Sequence, residues 1–196
     1  MPPLFRALVT TGLWVTASTV CAIEIQPEAS DIAMALERGS VAAAARIPPE
    51  RLYTWFGTEQ RDRGAHGFLL TKLDALAVLS AHFRLRSLTP SPSDQAQVLA
   101  DPYLLVTVIL FGERPDFAVD SYMLLQQGSR TIIPGKVRFD ATATPSSTWP
   151  SSPAYRAKVI AFFAYVDFDP HAKSRVSVFP RSGGEIAFDI DFATIP

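Results

Sequence analysis

The hydrophobic pattern of this sequence changes near residue 100, and that change constrains the fold more than any other feature. Before this point, Ala, Leu and Arg dominate and recur with helical spacing. After it, β-branched and aromatic residues alternate with polar ones between Pro and Gly turns. The pattern predicts an α+β chain, with a helical part at about 30–100 and an antiparallel β-sandwich at about 103–195.

Glycine and proline divide the first half of the helical part into short segments. Ser30 is expected to cap a helix over 31–38 that ends at Gly39, and a second piece continues to Arg46. The segment PERLYTWFG, residues 49–57, predicts a further short helix that would carry three aromatic side chains.

Two more helices are expected before the strands begin. Leucines and a phenylalanine recur at helical intervals over 70–86, which predicts a helix there. Ser91 stands before Pro92, the usual order of a capping residue and a first helical residue, so a short helix should run from Pro92 to Leu99.

The second half reads as a series of strands. YLLVTVILF, residues 103–111, is almost wholly apolar, which is typical of a strand buried on both faces. The last three apolar segments predict an antiparallel meander with short turns; they cover 157–169, 174–180 and 184–195. Shorter strand candidates cover 121–127, 130–134 and 136–145.

The first 22 residues have the layout of a secretory signal peptide. Arg6 precedes a mostly apolar run that ends at about Ala17, and small residues follow up to Ala22. The run is well short of the roughly 20 apolar residues that a spanning helix needs. We expect cleavage near Ala22 and a periplasmic or secreted mature chain, with 23–100 as a helical region and 101–196 as a β-sandwich domain.

Cys21, the only cysteine, offers an alternative in which it becomes the lipidated first residue of a lipoprotein. The residues before it, 18–20, lack the leucine and the small residue that such a site usually has. Cleavage after Ala22 would remove Cys21, so no disulfide could form.

Charge and apolar content argue against several classes of partner. Loss of Arg6 with the leader changes 18 basic residues to 17 against 19 acidic ones, a net charge of −2. That balance does not indicate nucleic acid or an anionic membrane surface as a partner. After the leader, no apolar run reaches spanning length, so we expect no transmembrane segment in the mature chain.

Catalytic motifs are missing from the sequence. It contains no G-x-S-x-G, no phosphate-binding glycine loop, no H-E-x-x-H and no cysteine cluster. The three histidines, His66, His82 and His171, are far apart in the chain. We therefore predict no catalytic residue.

Paired aspartates are the best candidate for a binding site. Alternation along a strand puts Asp167 and Asp169 on one face, and likewise Asp189 and Asp191. If the last three strands form a meander, all four carboxylates approach one rim of the sheet. Calcium prefers such oxygen donors, at roughly 6–8 ligands.

VDFDPHAKSR, residues 166–175, resembles the third calcium loop of the calcium-dependent phospholipid-binding β-sandwich domains. That resemblance implies that Asp167 and Asp169 are calcium ligands. The sequence departs from the family at its next acidic position, which falls among residues 173–175. The alternative needs no cofactor: Arg175, on the middle strand of the meander, would lie between the acidic strands and neutralise them as an ion ladder.

A second resemblance concerns the strands before the meander. LLVTVILFG (104–112) and DFAVDSYMLLQQGSRTIIPGK (116–136) resemble the exported sandwich lipoproteins of contractile secretion systems, in strand order and in the I-x-P-G turn at 132–135. More loosely, the whole chain resembles uncharacterised exported bacterial β-sandwich proteins. The predicted leader, the sandwich pattern and the lack of a catalytic motif indicate a non-catalytic envelope protein that acts as a binding or scaffold module for a protein partner, and these resemblances support that reading.

Trp149 is the candidate contact for such a partner, because it lies in a loop of Pro and Ser residues. The alternative is that Trp149 folds back as a lid over one end of the sandwich. Two other functions stay open: a calcium- or ligand-binding sandwich that uses the aspartate rim, and a hydrolase in which paired carboxylates act as acid and base.

Overall fold

Two antiparallel sheets and three α-helices make up residues 22–195, the part of the chain that the computed structural model describes. The helices precede all but two of the strands, which confirms the α+β class. The predicted signal peptide lies outside the described residues except for Ala22.

Helix α1 spans Ala29–Ala44 without a break. The prediction that Gly39 ends this helix is wrong. Gly39 is buried where α1 meets the next helix, so the glycine serves close packing and not termination. Ser30 is not the cap either, since the cap is Glu28, whose N–H donates to the Asp31 carboxylate at 3.0 Å.

Helices α2 and α3 begin at side-chain caps. Helix α2 spans Lys72–Arg84, and the hydroxyl of Thr71 accepts from the Asp74 N–H at 3.1 Å. Helix α3 spans Pro92–Leu99 as predicted, with Ser91 accepting from the N–H of its third residue. Helix α1 packs on α2, and the two share a small apolar cluster made of Ala42, Ala43, Leu52, Ala77 and Ala81.

The strands in chain order are β1 (Thr54–Gly57), β2 (His66–Leu70), β3 (Tyr103–Gly112), β4 (Tyr122–Gln127), β5 (Arg130–Ile132), β6 (Lys136–Phe139), β7 (Thr144–Pro145), β8 (Tyr155–Ala164), β9 (Lys173–Phe179) and β10 (Ile186–Asp191). The first sheet has the order β1-β2-β3-β8-β6, and β7 also pairs with β8. The second sheet has the order β10-β9-β4-β5.

The hairpin of β1 and β2 corrects two predictions. Only Pro49–Leu52 of the expected helix at 49–57 forms a helical turn, and the residues from Thr54 onward form a strand. β2 likewise extends to Leu70, the first residue of the helix expected over 70–86. Trp55 packs against Phe68 of β2, and Phe56 packs on the opposite side against Phe188, so packing decides the local structure here.

The predicted meander of the last three strands is wrong. β8 lies in the first sheet between β3 and β6, whereas β9 and β10 pair in the second sheet. A 3₁₀ turn at Tyr165–Asp167 carries the chain from one sheet to the other, and the buried Tyr165 and Phe168 hold it against the core. Pairing between distant strands overrides the pairing of sequence neighbours.

The core lies between the two sheets. Alternate residues of β3 face it and are fully buried, namely Leu104, Val106, Val108 and Leu110. Ile23, one residue after the predicted cleavage site, also belongs to this core and is 2% exposed.

One face of β3 enters the core and the other is covered only in part, although the sequence predicts burial on both. Of the residues between the core positions, Leu105, Ile109 and Phe111 stay partly exposed on the other side of the first sheet, and Thr107 is buried. Tyr103, at the start of the strand, is 39% exposed. The second sheet covers the first on one side alone.

Candidate functional site

The outer face of the first sheet, the side turned away from the second sheet, carries a continuous set of apolar and aromatic side chains. The strand register places Phe68, Thr107 and Ile160 opposite one another across β2, β3 and β8. Leu105 and Phe162 form the neighbouring row. We define the outer face by six partly exposed residues: Trp55, Phe68, Leu105, Ile109, Ile160 and Phe162.

Aromatic rings pack on each other at the β1–β2 end of the outer face. Tyr53 stacks on Phe68 with ring centroids 4.5 Å apart, and Trp55 lies 5.1 Å from Phe68. The guanidinium of Arg61 sits 4.1 Å from the centre of the Trp55 ring, a cation–π contact. One face of each of these rings is therefore already occupied.

His66 lies within this aromatic cluster and is buried, at 3% exposure. Its ring is 5.8 Å from Trp55 and 6.1 Å from Phe111, and its Nδ1 lies 2.8 Å from the carbonyl oxygen of Gly64. Burial lowers the pKa of His66, and the contact with Gly64 opposes that shift in part. The imidazole is therefore held more firmly in its neutral form than a free histidine.

Four cations border the outer face along β6 and β8, and we call them the basic rim: Lys136, Arg138, Arg156 and Lys158. In the strand register, Lys136 pairs with Phe162, Arg138 with Ile160, and Lys158 with Ile109, so these cations project on the same side as the apolar residues. Arg138 lies 5.6 Å from the centre of the Phe162 ring.

The basic rim has no carboxylate partner inside the described chain. All four cations are exposed, and none forms an ion pair with any residue of 22–195. The acidic residue that pairs with β8 in this region, Asp140, accepts the backbone N–H of Lys158 at 2.9 Å. Its carboxylate is thus engaged by the main chain.

The outer side of the second sheet differs in its charges. There Arg175 lies 3.2 Å from Asp189 and 3.8 Å from Glu185, and Ser177 donates to the same Glu185 at 2.6 Å. Charges of both signs are present on this side, and Arg175 is paired with two of the carboxylates. The two outer surfaces of the sandwich therefore offer different chemistry to a partner.

The four aspartates proposed as a calcium rim lie in different local settings. Asp167 ends the 3₁₀ turn between the sheets, and Asp169 follows in a loop, so strand alternation does not apply to them. The Asp169 carboxylate accepts the backbone N–H of His171 at 2.9 Å. Gln127 holds the Asp169 backbone through two hydrogen bonds of 2.8 Å.

Asp189 and Asp191 do share one face of β10, as predicted, because they pair with Arg175 and Lys173 of β9. Asp191 accepts the N–H of Ala193 at 3.1 Å and so caps the last turn of the described chain. A depression of about 460 Å³ adjoins both carboxylates and both cations. Within residues 22–195, no three His, Cys, Asp or Glu side chains come together as a metal site would require.

The predicted ion ladder forms in part. Arg175 contacts Asp189 across the strand pair, but its second carboxylate is Glu185, which the sequence argument did not single out. Asp167 and Asp169 take no part, because β8 is not the neighbour of β9.

Trp149 is 56% exposed. Its loop lies against the loop between β1 and β2, since the hydroxyl of Ser147 donates to the carbonyl of Asp62 at 3.3 Å. Trp149 therefore stands near the end of the sheet where Arg61 and Trp55 meet.

Sequence reasoning missed the outer face and its basic rim. A signal was present in β8, where Arg156, Lys158, Ile160 and Phe162 alternate with the small or apolar residues that enter the core. Only the pairing of β8 with β3 and β6 shows that these side chains adjoin those of β2 and form one surface.

Comparisons with known proteins add no family. No family model matches the chain, and the search of curated proteins found no match. Among solved structures, the archaellum periplasmic stator protein FlaG from Sulfolobus acidocaldarius is 9% identical over 46% of this chain and 88% of its own, with a TM-score of 0.34. In the archaellum periplasmic stator complex of FlaF and FlaG from the same organism, the matched chain is 10% identical over 46% of this chain and 78% of its own length, with a TM-score of 0.30. Similarity at this level supports no functional argument.

A search of the described helices for a membrane span found none that combines the necessary length with the necessary hydrophobicity.

Proposed function

We propose that the protein is an exported, non-catalytic envelope module that binds a protein partner through the outer face of its first sheet. The observation that carries the proposal is the open apolar surface of β2, β3 and β8. A partner that covers apolar surface stabilises the complex by roughly 25 cal/mol for each Å² that it removes from water. The outward residues of β3 are largely apolar, as are its core residues, so a partner would complete the packing that the sequence of the strand predicts.

The β1–β2 end of the outer face combines stacked aromatic rings with an arginine over Trp55. Aromatic residues and arginine are also the residues enriched in protein interfaces. Trp149, exposed in the neighbouring loop, adds an anchor at the border of the surface.

Export rests on the predicted leader. Cleavage after Ala22 would create a new amino terminus at Ile23, whose side chain is buried in the sandwich core. The mature chain would then begin at the folded domain itself, without a flexible arm. Amino-terminal sequencing of the protein recovered from an envelope fraction tests this part of the proposal.

Site-specific photo-crosslinking in the producing cells tests the binding surface. Tyr103 and Tyr122 are matched positions, because each is a partly exposed tyrosine on a strand, one beside the outer face and the other on the second sheet. A benzophenone amino acid at Tyr103 should give a discrete adduct with another protein. The same amino acid at Tyr122 should not give that adduct.

Two outcomes contradict the proposal. A Tyr103 variant that is folded and exported but gives no protein adduct would show that the outer face is free in the cell. Equal adducts from both positions would show that contact is not specific to the first sheet.

A further inference from the structure

We infer that the partner presents acidic side chains to the basic rim, interspersed with apolar ones for the outer face. This inference deepens the proposed function and rests on it. Its basis is the juxtaposition of four unpaired cations with an open apolar sheet in a chain whose overall charge is only −1.

The cations of the basic rim lie close to one another. Arg156 and Lys158 are two residues apart on one face of β8, which separates them by about 7 Å. Arg138 pairs with Ile160, so Lys158 is its diagonal neighbour on the adjacent strand, at a typical distance of about 7–8 Å. Like charges at this spacing repel one another, and a partner carboxylate would relieve that repulsion.

Cations also lie beside the apolar residues that a partner would cover. Arg138 is next to the Phe162 ring, and Lys158 is opposite Ile109. A partner that covers Ile109 and Phe162 therefore removes water from the nearby charges. Because an unpaired charge is costly to desolvate, the surface favours a partner that supplies carboxylates at those points.

Three other occupants fit less well. A second copy placed face to face would offer the basic rim only apolar residues and the same four cations. Residues 1–21 of this chain contain no Asp or Glu, so they cannot complement the rim. An anionic membrane would match the charge, but the apolar side chains of the outer face are partly buried among their neighbours, and an inserting surface needs protruding ones.

A peptide selection tests the inference with a defined probe. The full chain is immobilised and exposed to a phage-displayed library of random dodecapeptides, in parallel with two double variants. Arg138→Glu with Lys158→Glu reverses two charges of the basic rim. Arg130→Glu with Lys173→Glu reverses two exposed charges on the second sheet as a matched control.

We expect the native chain to enrich peptides that combine Asp or Glu with aromatic or aliphatic residues. A synthetic peptide from that set should bind about tenfold more weakly to the rim variant and within about twofold of native affinity to the control. Raising the salt from about 50 mM to about 500 mM should also weaken the binding, because exposed charges are screened.

The contradicting outcomes are distinct. Neutral enriched peptides, an affinity that the rim variant does not change, or no enrichment at all would overturn the inference and leave the crosslinking test of the proposed function intact. Loss of peptide binding in Ile160→Ser but not in the rim variant would likewise keep the outer face and reject the acidic partner. Cosedimentation of the native chain with phosphatidylglycerol vesicles, lost in the rim variant, would replace the protein partner with a membrane surface.

Discussion

Replacing Gly39 with alanine tests whether α1 and α2 are held together by direct contact of their backbones. A Cβ at position 39 would lie 2.8 Å from the carbonyl carbon of Ala77 and 2.9 Å from the Cβ of Ser80, with the Ala77 carbonyl oxygen closer still. Ordinary contacts between such atoms begin at about 3.5 Å. The two helices would have to separate by about 1 Å at this point.

That separation affects interactions on both sides of the contact. A gap of about 1 Å removes up to about half of the dispersion energy between the atoms that face it, here the apolar cluster of Ala42, Ala43, Ala77 and Ala81. The Ser80 hydroxyl also donates to the Leu36 carbonyl at 2.6 Å across the same helix pair, and it would be pulled away. Overpacking of a tight interface costs about 1–3 kcal/mol, and a lost hydrogen bond adds about 1 kcal/mol.

Helix propensity acts in the opposite direction. Alanine favours a helix over glycine by about 1 kcal/mol, so a position open to solvent would be stabilised by the exchange. For Gly39→Ala we expect a net loss of about 1–3 kcal/mol in the free energy of unfolding. The sign of the change therefore separates close packing from local propensity.

Urea unfolding of the full chain, followed by circular dichroism, gives the measurement. Glu37→Ala is the control, because Glu37 is exposed on the same helix, and its effect should stay within about 0.5 kcal/mol. A Gly39→Ala chain as stable as the native one, or more stable, would refute the argument that the glycine is required by the contact with Ala77.

Three further predictions concern buried or engaged polar groups. Asp74→Ala should lower the free energy of unfolding in urea by about 3 kcal/mol, because the fully buried carboxylate of Asp74 lies 2.6 Å from the Arg38 guanidinium. A larger loss is not expected, since the Arg38 side chain is 39% exposed and water can hydrate it. Burial lowers the pKa of His66 in the folded chain. As the pH falls below about 6.5, His66 is therefore protonated in the unfolded chain before it is protonated in the native fold, and the native fold loses stability in that pH range. Between about pH 7.5 and about pH 5.5, the melting temperature should fall less for His66→Gln than for the native chain. An equal fall would contradict the assignment. Calcium at about 5 mM should leave the native melting midpoint unchanged, because Asp169 and Asp191 already accept backbone N–H groups; a rise that Asp169→Asn abolishes would restore the calcium hypothesis.

Capping residues and prolines correctly predicted an element whose start depends only on neighbouring residues. Helix α3 begins and ends where Ser91 and Pro92 predict, because capping and the fixed φ of proline act within one turn. The failure at Gly39 has a different cause. A glycine that ends a helix and a glycine that admits a neighbouring helix look alike in sequence, and only the position of Ala77 distinguishes them.

The aspartate site illustrates what strand alternation does not predict. Asp189 and Asp191 share a face because β10 is a regular strand. Asp167 and Asp169 do not follow the same rule, since the chain leaves β8 at Ala164 and turns toward the other sheet. The sequence carries the residue types of a calcium rim, but the rim itself depended on a strand pairing that does not occur.

The error about β3 is the more informative one for function. Its sequence predicts burial on both faces, and its neighbour β8 carries apolar residues in the same outward rows, with basic residues at one end. Within residues 22–195, the apolar side chains of those rows stay partly exposed, and Thr107 between them is buried. Apolar side chains in contact with water remain unfavourable, so covering these rows would stabilise the sheet. The proposed partner would supply that cover, and the basic rim beside the rows indicates the charge that such a partner would carry.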